Sequence, residues 1–203
     1  PCGQPLSGWQ ITVFNKTTGN KMGENTTNTT GYWQVCGLDT GDYWINETLK
    51  SGWQSANPSQ SVVLGSLNAT DVDFINTPLL CISGHKYNNN TGEGLAGWRI
   101  AVFNKTTGDK MDENTTNATG YWEVCELVPG SYWVNETTKA GWQNANPNQS
   151  VVLGCQNLTK VNFNNTPSSS NISIIKKATA DTVEPGDNVT YIINVTNTGE
   201  VQL

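Results

Sequence analysis

The chain has 203 residues, of which 14% are charged, and a formal net charge of −6. It has no basic stripe, which argues against a nucleic-acid partner, and no apolar run long enough to span a membrane. No signal peptide opens it, so it reads as a mature or interior window of a longer secreted product.

Asn, Thr and Gly dominate the polar residues, a composition compatible with disorder. Against that, eight tryptophans recur at matching places and argue for packed domains. From the N-terminus, Trp9, Ile11 and Val13 alternate with polar residues as one face of a strand. Asn15–Gly19 follows as a turn. The stretch Gly8–Met22 then returns at Gly97–Met111 with an offset of 89 residues. The offset also links Gly31-Tyr32-Trp33 to Gly120-Tyr121-Trp122, Cys36 to Cys125, Tyr43-Trp44 to Tyr132-Trp133, and Ser61–Gly65 to Ser150–Gly154. Such a period is a whole small domain, too long for one solenoid turn.

Copy two shows the order of strands most fully. Cys81–Tyr87 is its first strand and Trp98–Val102 its second, with Trp98, Ile100 and Val102 facing a core. Trp122–Val124, Tyr132–Glu136, Val151–Leu153 and Val161–Phe163 follow, separated by turns such as Val128-Pro129-Gly130. Short strands with turn signals at this spacing predict an all-β sandwich. Within Tyr132–Glu136, Trp133 shares a face with Asn135 and opposes Tyr132 and Val134. Trp133 and its counterpart Trp44 are therefore expected on the exposed face. Pro1 aligns with Asn90, so copy one lacks the first strand. A neighbouring subunit would supply that strand by edge addition, or a preceding stretch of a longer chain would.

Sixteen Asn-x-Ser/Thr sequons mark surface loops of a secreted glycoprotein. They begin at Asn15, Asn25, Asn28, Asn46, Asn68, Asn89, Asn104, Asn114, Asn117, Asn135, Asn148, Asn157, Asn164, Asn171, Asn188 and Asn194. Five pairs of them recur at the 89-residue offset. Five cysteines point to an oxidising compartment. The economical pairing joins Cys2 to Cys36 and Cys81 to Cys155. Cys125 is then free, buried or bonded between chains.

The ordered run Gly120-Tyr121-Trp122, Leu127–Tyr132, Glu136-Thr137 and Gly141-Trp142 resembles the B-type repeats of bacterial and archaeal surface proteins. These are the collagen-adhesin B domains and the serine-aspartate-repeat B domains. The resemblance implies tandem prealbumin-like Greek-key sandwiches over Pro1–Leu79 and Leu80–Pro167. The segment 168–203, with Ile172–Lys177 and alternating Val189, Tyr191, Ile193 and Val195, resembles the start of an immunoglobulin-like wall-protein repeat. It reads as an incomplete third sandwich or a strand-donating tail.

In collagen-adhesin B domains a strand lysine condenses with an asparagine, assisted by a buried glutamate. The resemblance nominates Lys86, Asn165 and Glu136 for this role. Asn165 and Asn76 each precede Thr-Pro and are not sequons. Related repeats bind calcium in Asp/Asn loops, for which Asn88–Glu93 is an Asp-free counterpart. No Ser/His/Asp set, HExxH or phosphate loop occurs, and the one histidine, His85, lies on a strand. The reading is therefore a structural, non-enzymatic subunit of an extracellular fibre, stalk or coat, with N-glycans and copies of itself as partners and no cofactor. The alternative is an adhesin or sugar-binding module using exposed Trp44 and Trp133.

Overall fold

The computed structural model describes residues 2–169 and 171–199. Pro1, Ser170 and the last four residues of the expected third unit lie outside the described residues. The regular elements are all strands, as the alternating patterns predict, and none is a helix long and apolar enough to cross a membrane.

Repeat one holds β1 (Gln10–Asn15), β2 (Lys21–Thr26), β3 (Gly41–Glu47), β4 (Trp53–Ser55), β5 (Ser59–Leu64) and β6 (Asn76–Pro78). The main sheet has the order β2-β1-β3-β5, and β4 pairs with β6. Repeat two holds β7 (Leu80–Asn88), β8 (Arg99–Asn104), β9 (Lys110–Thr115), β10 (Tyr121–Leu127), β11 (Gly130–Glu136), β12 (Trp142–Gln143), β13 (Asn148–Leu153) and β14 (Phe163–Pro167). Its two sheets run β9-β8-β11-β13 and β10-β7-β14-β12. All pairings are antiparallel except β7 with β14. The boundary drawn from the repeat falls between β6 and β7.

Local chemistry sets the turns twice over. Asn15 Oδ1 accepts the backbone N–H groups of Thr17 and Thr18, and Asn104 does the same for Thr106 and Thr107. These Asx turns return the chain into β2 and β9. The register is duplicated as well: Val13 lies opposite Ile45 and Val102 opposite Val134.

The period-2 pattern sends Ile100, Val102, Tyr132 and Val134 into the core of repeat two. There they meet Trp122, Val124, Leu127 and Phe163 from the facing sheet, all at most 2% exposed. Burial on this scale supplies the main drive for folding.

Repeat one has the same first sheet but a different second one. Its segment Gly31–Leu38, equivalent to the β10 region, forms no strand. In repeat two β7 lies between β10 and β14 and hydrogen-bonds to both. Among the described residues of repeat one no strand pairs with Trp33–Leu38, so this backbone joins no ladder there. Trp33, Val35, Leu38, Val72 and Phe74 are only partly buried, whereas Trp122, Val124, Leu127 and Phe163 are sealed.

Beyond repeat two, β15 (Ile172–Ala178) and β16 (Tyr191–Asn197) form an antiparallel hairpin with Ile172 opposite Asn197. Ile174, Ile175, Ile192, Ile193 and Val195 are all exposed. A lone hairpin buries too little apolar surface to make a core of its own.

Candidate functional site

The two sheets of repeat two enclose a charged group in an apolar interior. Lys86 on β7 and Glu136 at the end of β11 have side chains with no solvent exposure, and Lys86 Nζ lies 2.8 Å from Glu136 Oε2. Asn165 on β14 is 1% exposed and donates its amide N–H to Glu136 Oε1. The parallel pairing places Lys86 beside Phe163, two residues ahead of Asn165 on the same face. The structure thus brings together the three residues nominated by the family resemblance.

Burial pulls the Lys86 ammonium below the usual lysine range, and the Glu136 carboxylate works against that pull. The face of Trp98 lies under Lys86, 4.6 Å from Nζ to the ring centroid. Asn165 Oδ1 has no donor among the described residues. An amine that burial makes easier to deprotonate, a carboxylate holding the amide N–H, and a dry pocket are the components for acyl transfer from amide to amine. Two further contributors were missed in the sequence reading. Asn144 donates to Glu136 Oε2 at 2.9 Å, and Trp142 packs edge-on against Trp98 with centroids 5.7 Å apart. Asn144 becomes Ser55 in repeat one, and that difference between the copies was the available signal.

Repeat one keeps half of this arrangement. Glu47 is 8% exposed, and its Oε2 accepts from Asn76 Nδ2 at 2.7 Å. Its Oε1 has no partner among the described residues. Among the described residues no lysine pairs with Glu47.

The cysteine pairing differs from the expected one. Cys81 bonds Cys125, and Cys2 bonds Cys155. Cys36 is free and exposed. The expected pairs Cys2–Cys36 and Cys81–Cys155 are both replaced. The reason is register: Ile82 lies opposite Val124, so Cys81 and Cys125 become cross-strand neighbours beside the β10 bulge. Cys155, in the turn after β13, then joins repeat two to the start of repeat one.

None of the sixteen sequon asparagines is buried. Asn15, Asn28, Asn104 and Asn117 accept turn N–H groups through Oδ1. That use leaves the amide nitrogen, where a glycan attaches, outside the turn. Trp44 and Trp133 are 40% and 38% exposed, as strand parity predicts. Lys16 and Lys105 lie over their rings, each 4.5 Å from the centroid. A cation on the ring face competes with a sugar for that face.

The loop named for calcium is a tight turn. Gly92 N–H donates to Asn88 O, and Glu93 accepts from Thr91 Oγ1 at 3.2 Å. Cys81, Glu123 and Cys125 place possible ligand atoms within 4.8 Å of one another. Two of these are the sulfurs of one disulfide, so the group does not fit a metal ion.

The sequence is similar to "Serine-aspartate repeat-containing protein F" of Staphylococcus epidermidis. It is 24% identical over 178 aligned positions, which cover 76% of this chain and 10% of that protein. A second strain's protein of the same name is 22% identical over 76% of this chain. The chain spans about a tenth of the length of these curated relatives. Among solved structures, the shaft pilin SpaA from Lactobacillus rhamnosus GG is 15% identical, with a TM-score of 0.43, over 82% of this chain and 90% of that one. The Bacillus anthracis TIE protein is 17% identical with a TM-score of 0.41, over 79% of this chain and 31% of that one. The SpaA prealbumin-like fold domain matches residues 2–78 and again residues 81–167. The chain therefore belongs to the SpaA prealbumin-like fold domain family, carrying two copies of the domain in tandem.

Proposed function

We propose that this chain is a structural segment of an extracellular fibre, stalk or surface coat, glycosylated on its loops and assembled with copies of itself. The observation that carries the reading is the solvent-free Lys86–Glu136–Asn165 set inside a duplicated sandwich. A buried ion pair is a poor source of net stability by itself. Its geometry suits a covalent tie between the first and last strands of repeat two. Lys86 Nζ attacks the side-chain carbonyl carbon of Asn165, the C–N bond to the amide nitrogen breaks, and Glu136 relays the proton with which that nitrogen leaves as ammonia.

Three features support the wider reading. The sequons recur with the fold, and none is buried. The disulfides are of the kind that persist outside the cell. The relatives carry this domain within much longer proteins. The test is the intact mass after enzymatic glycan removal, read alongside electron micrographs of the native material. Glycan mass, a deficit of about 17 Da for lost ammonia and ordered fibres or sheets are expected. Unmodified asparagines and dispersed single particles would overturn the structural reading. A full-mass chain would overturn the tie.

A further inference from the structure

Repeat one contains a groove of about 520 Å³ where β7 lies in repeat two, with Asn68, Thr70, Asp71 and Asp73 among its lining residues beside the apolar ones. Trp33, Val35, Leu38, Tyr43, Val62 and Val72 line it. At one end stands Cys36, free and exposed. Its equivalent, Cys125, bonds Cys81 on β7. Deeper in the same repeat, Glu47 is buried with Oε1 unpartnered. Its equivalent, Glu136, meets Lys86 on the same β7 strand. A thiol and a carboxylate oxygen on different segments of the repeat are thus both without the partners that one strand supplies in the other copy.

We propose that this groove is an acceptor for one β-strand of defined chemistry: a cysteine, an apolar residue directly after it, a glycine three positions after the cysteine, and a lysine five positions after it. Each position has its own cause. The cysteine bonds Cys36 as Cys81 bonds Cys125. The apolar residue fills the site of Ile82, which has no solvent exposure. The glycine is required because a Cβ at Gly84 would lie 1.9 Å from Val161 O. The lysine neutralises Glu47 beside Asn76. Main-chain hydrogen bonds to both flanking segments complete the sheet, as in other cases of strand addition. The assignment rests on the comparison of the two copies and needs no polymer.

The covalent step balances through a low-molecular-weight disulfide such as oxidised glutathione. The Cys36 thiolate attacks that disulfide and displaces one glutathione thiolate. The strand's thiolate then attacks Cys36 Sγ and displaces the second. Two thiols have been oxidised, and the oxidant leaves as two glutathione molecules.

The probe is a synthetic nonapeptide with the sequence Leu80–Asn88, added to the full chain with oxidised glutathione. Non-reducing peptide mapping should find it bonded to Cys36, with at least about tenfold more product than a scrambled peptide of the same composition gives. A peptide with valine at its glycine should lose that advantage entirely. One with methionine at its lysine should bind about tenfold or more weakly. The Cys36→Ser chain should still bind the original peptide reversibly, read by a change in tryptophan fluorescence. Equal labelling by the scrambled peptide, indifference to the glycine change, or Cys36–Cys36 dimers as the only product would overturn the proposal.

Discussion

Glu47 and Glu136 occupy equivalent ends of equivalent strands, yet only Glu136 faces an ammonium, 2.8 Å away. The same residue type in the same sheet is thereby a satisfied ion pair in one repeat and a half-satisfied acid in the other.

In an Asn165→Ala background, where no amide tie forms, Lys86→Met should be strongly destabilising, because it leaves Glu136 buried without its counter-charge. The expected loss is about 3–5 kcal/mol. The double change Lys86→Met with Glu136→Gln should recover much of it. Denaturant unfolding of the three chains checks both statements.

Removing the acceptor exposes the lysine to titration. In Asn165→Ala no amide tie forms, and the folded-state pKa of Lys86 stays below its ordinary value of 10.5. Between those two values the unfolded chain holds more protons than the folded one, so stability rises with pH across that window and is flat below it. Unfolding of Asn165→Ala should therefore become harder as pH climbs from the lowered folded-state value toward 10.5. The same measurement on Asn165→Ala with Lys86→Met should show that rise removed.

The two copies of one tryptophan should differ in cost. Trp122 is fully buried and Trp33 only partly. Trp122→Ala should cost about 3–5 kcal/mol, and Trp33→Ala about 1–2 kcal/mol. Thermal melts showing equal losses would contradict the open second layer of repeat one.

Gly84→Ala places a methyl against Val161 backbone and should cost about 3 kcal/mol or more. Gly154, whose added Cβ would meet nothing within 4 Å, is the control. Gly154→Ala should stay within about 0.5 kcal/mol of the parent.

Non-reducing peptide mapping should recover Cys2–Cys155 and Cys81–Cys125, with Cys36 alone alkylated before reduction. Reduction should lower the stability of repeat two by about 2–4 kcal/mol for the Cys81–Cys125 bridge.

Much of the fold was legible because its signals are local. Alternation marks the strands, Asx turns sit at Asn15 and Asn104, and parity together with the Asn135 sequon placed Trp133 outside and Val134 inside. The Lys86–Glu136–Asn165 set was reachable only through family resemblance, since its members lie on three strands distant in sequence. The cysteine pairs were not legible. Pairing depends on the β7–β10 register and the bulge beside Cys125, which no spacing rule encodes. Asn144 was missed because a polar residue after a short strand resembles any loop asparagine.

The Cys2–Cys155 bridge changes how this segment transmits force. A pull entering at Cys2 and leaving beyond Asn197 crosses one S–S bond and resumes at residue 155. All of repeat one, and repeat two up to β13, then hang off the path of tension as a closed loop. Only the stretch containing β14 and the hairpin after it carries the strain. While the bridge holds, pulling the ends cannot extend the 152 residues between the two cysteines, one fewer than their separation of 153. Reduction would bring the folded repeats into the path of tension, making the sulfur pair a redox-set limit on how far the strand of domains can stretch.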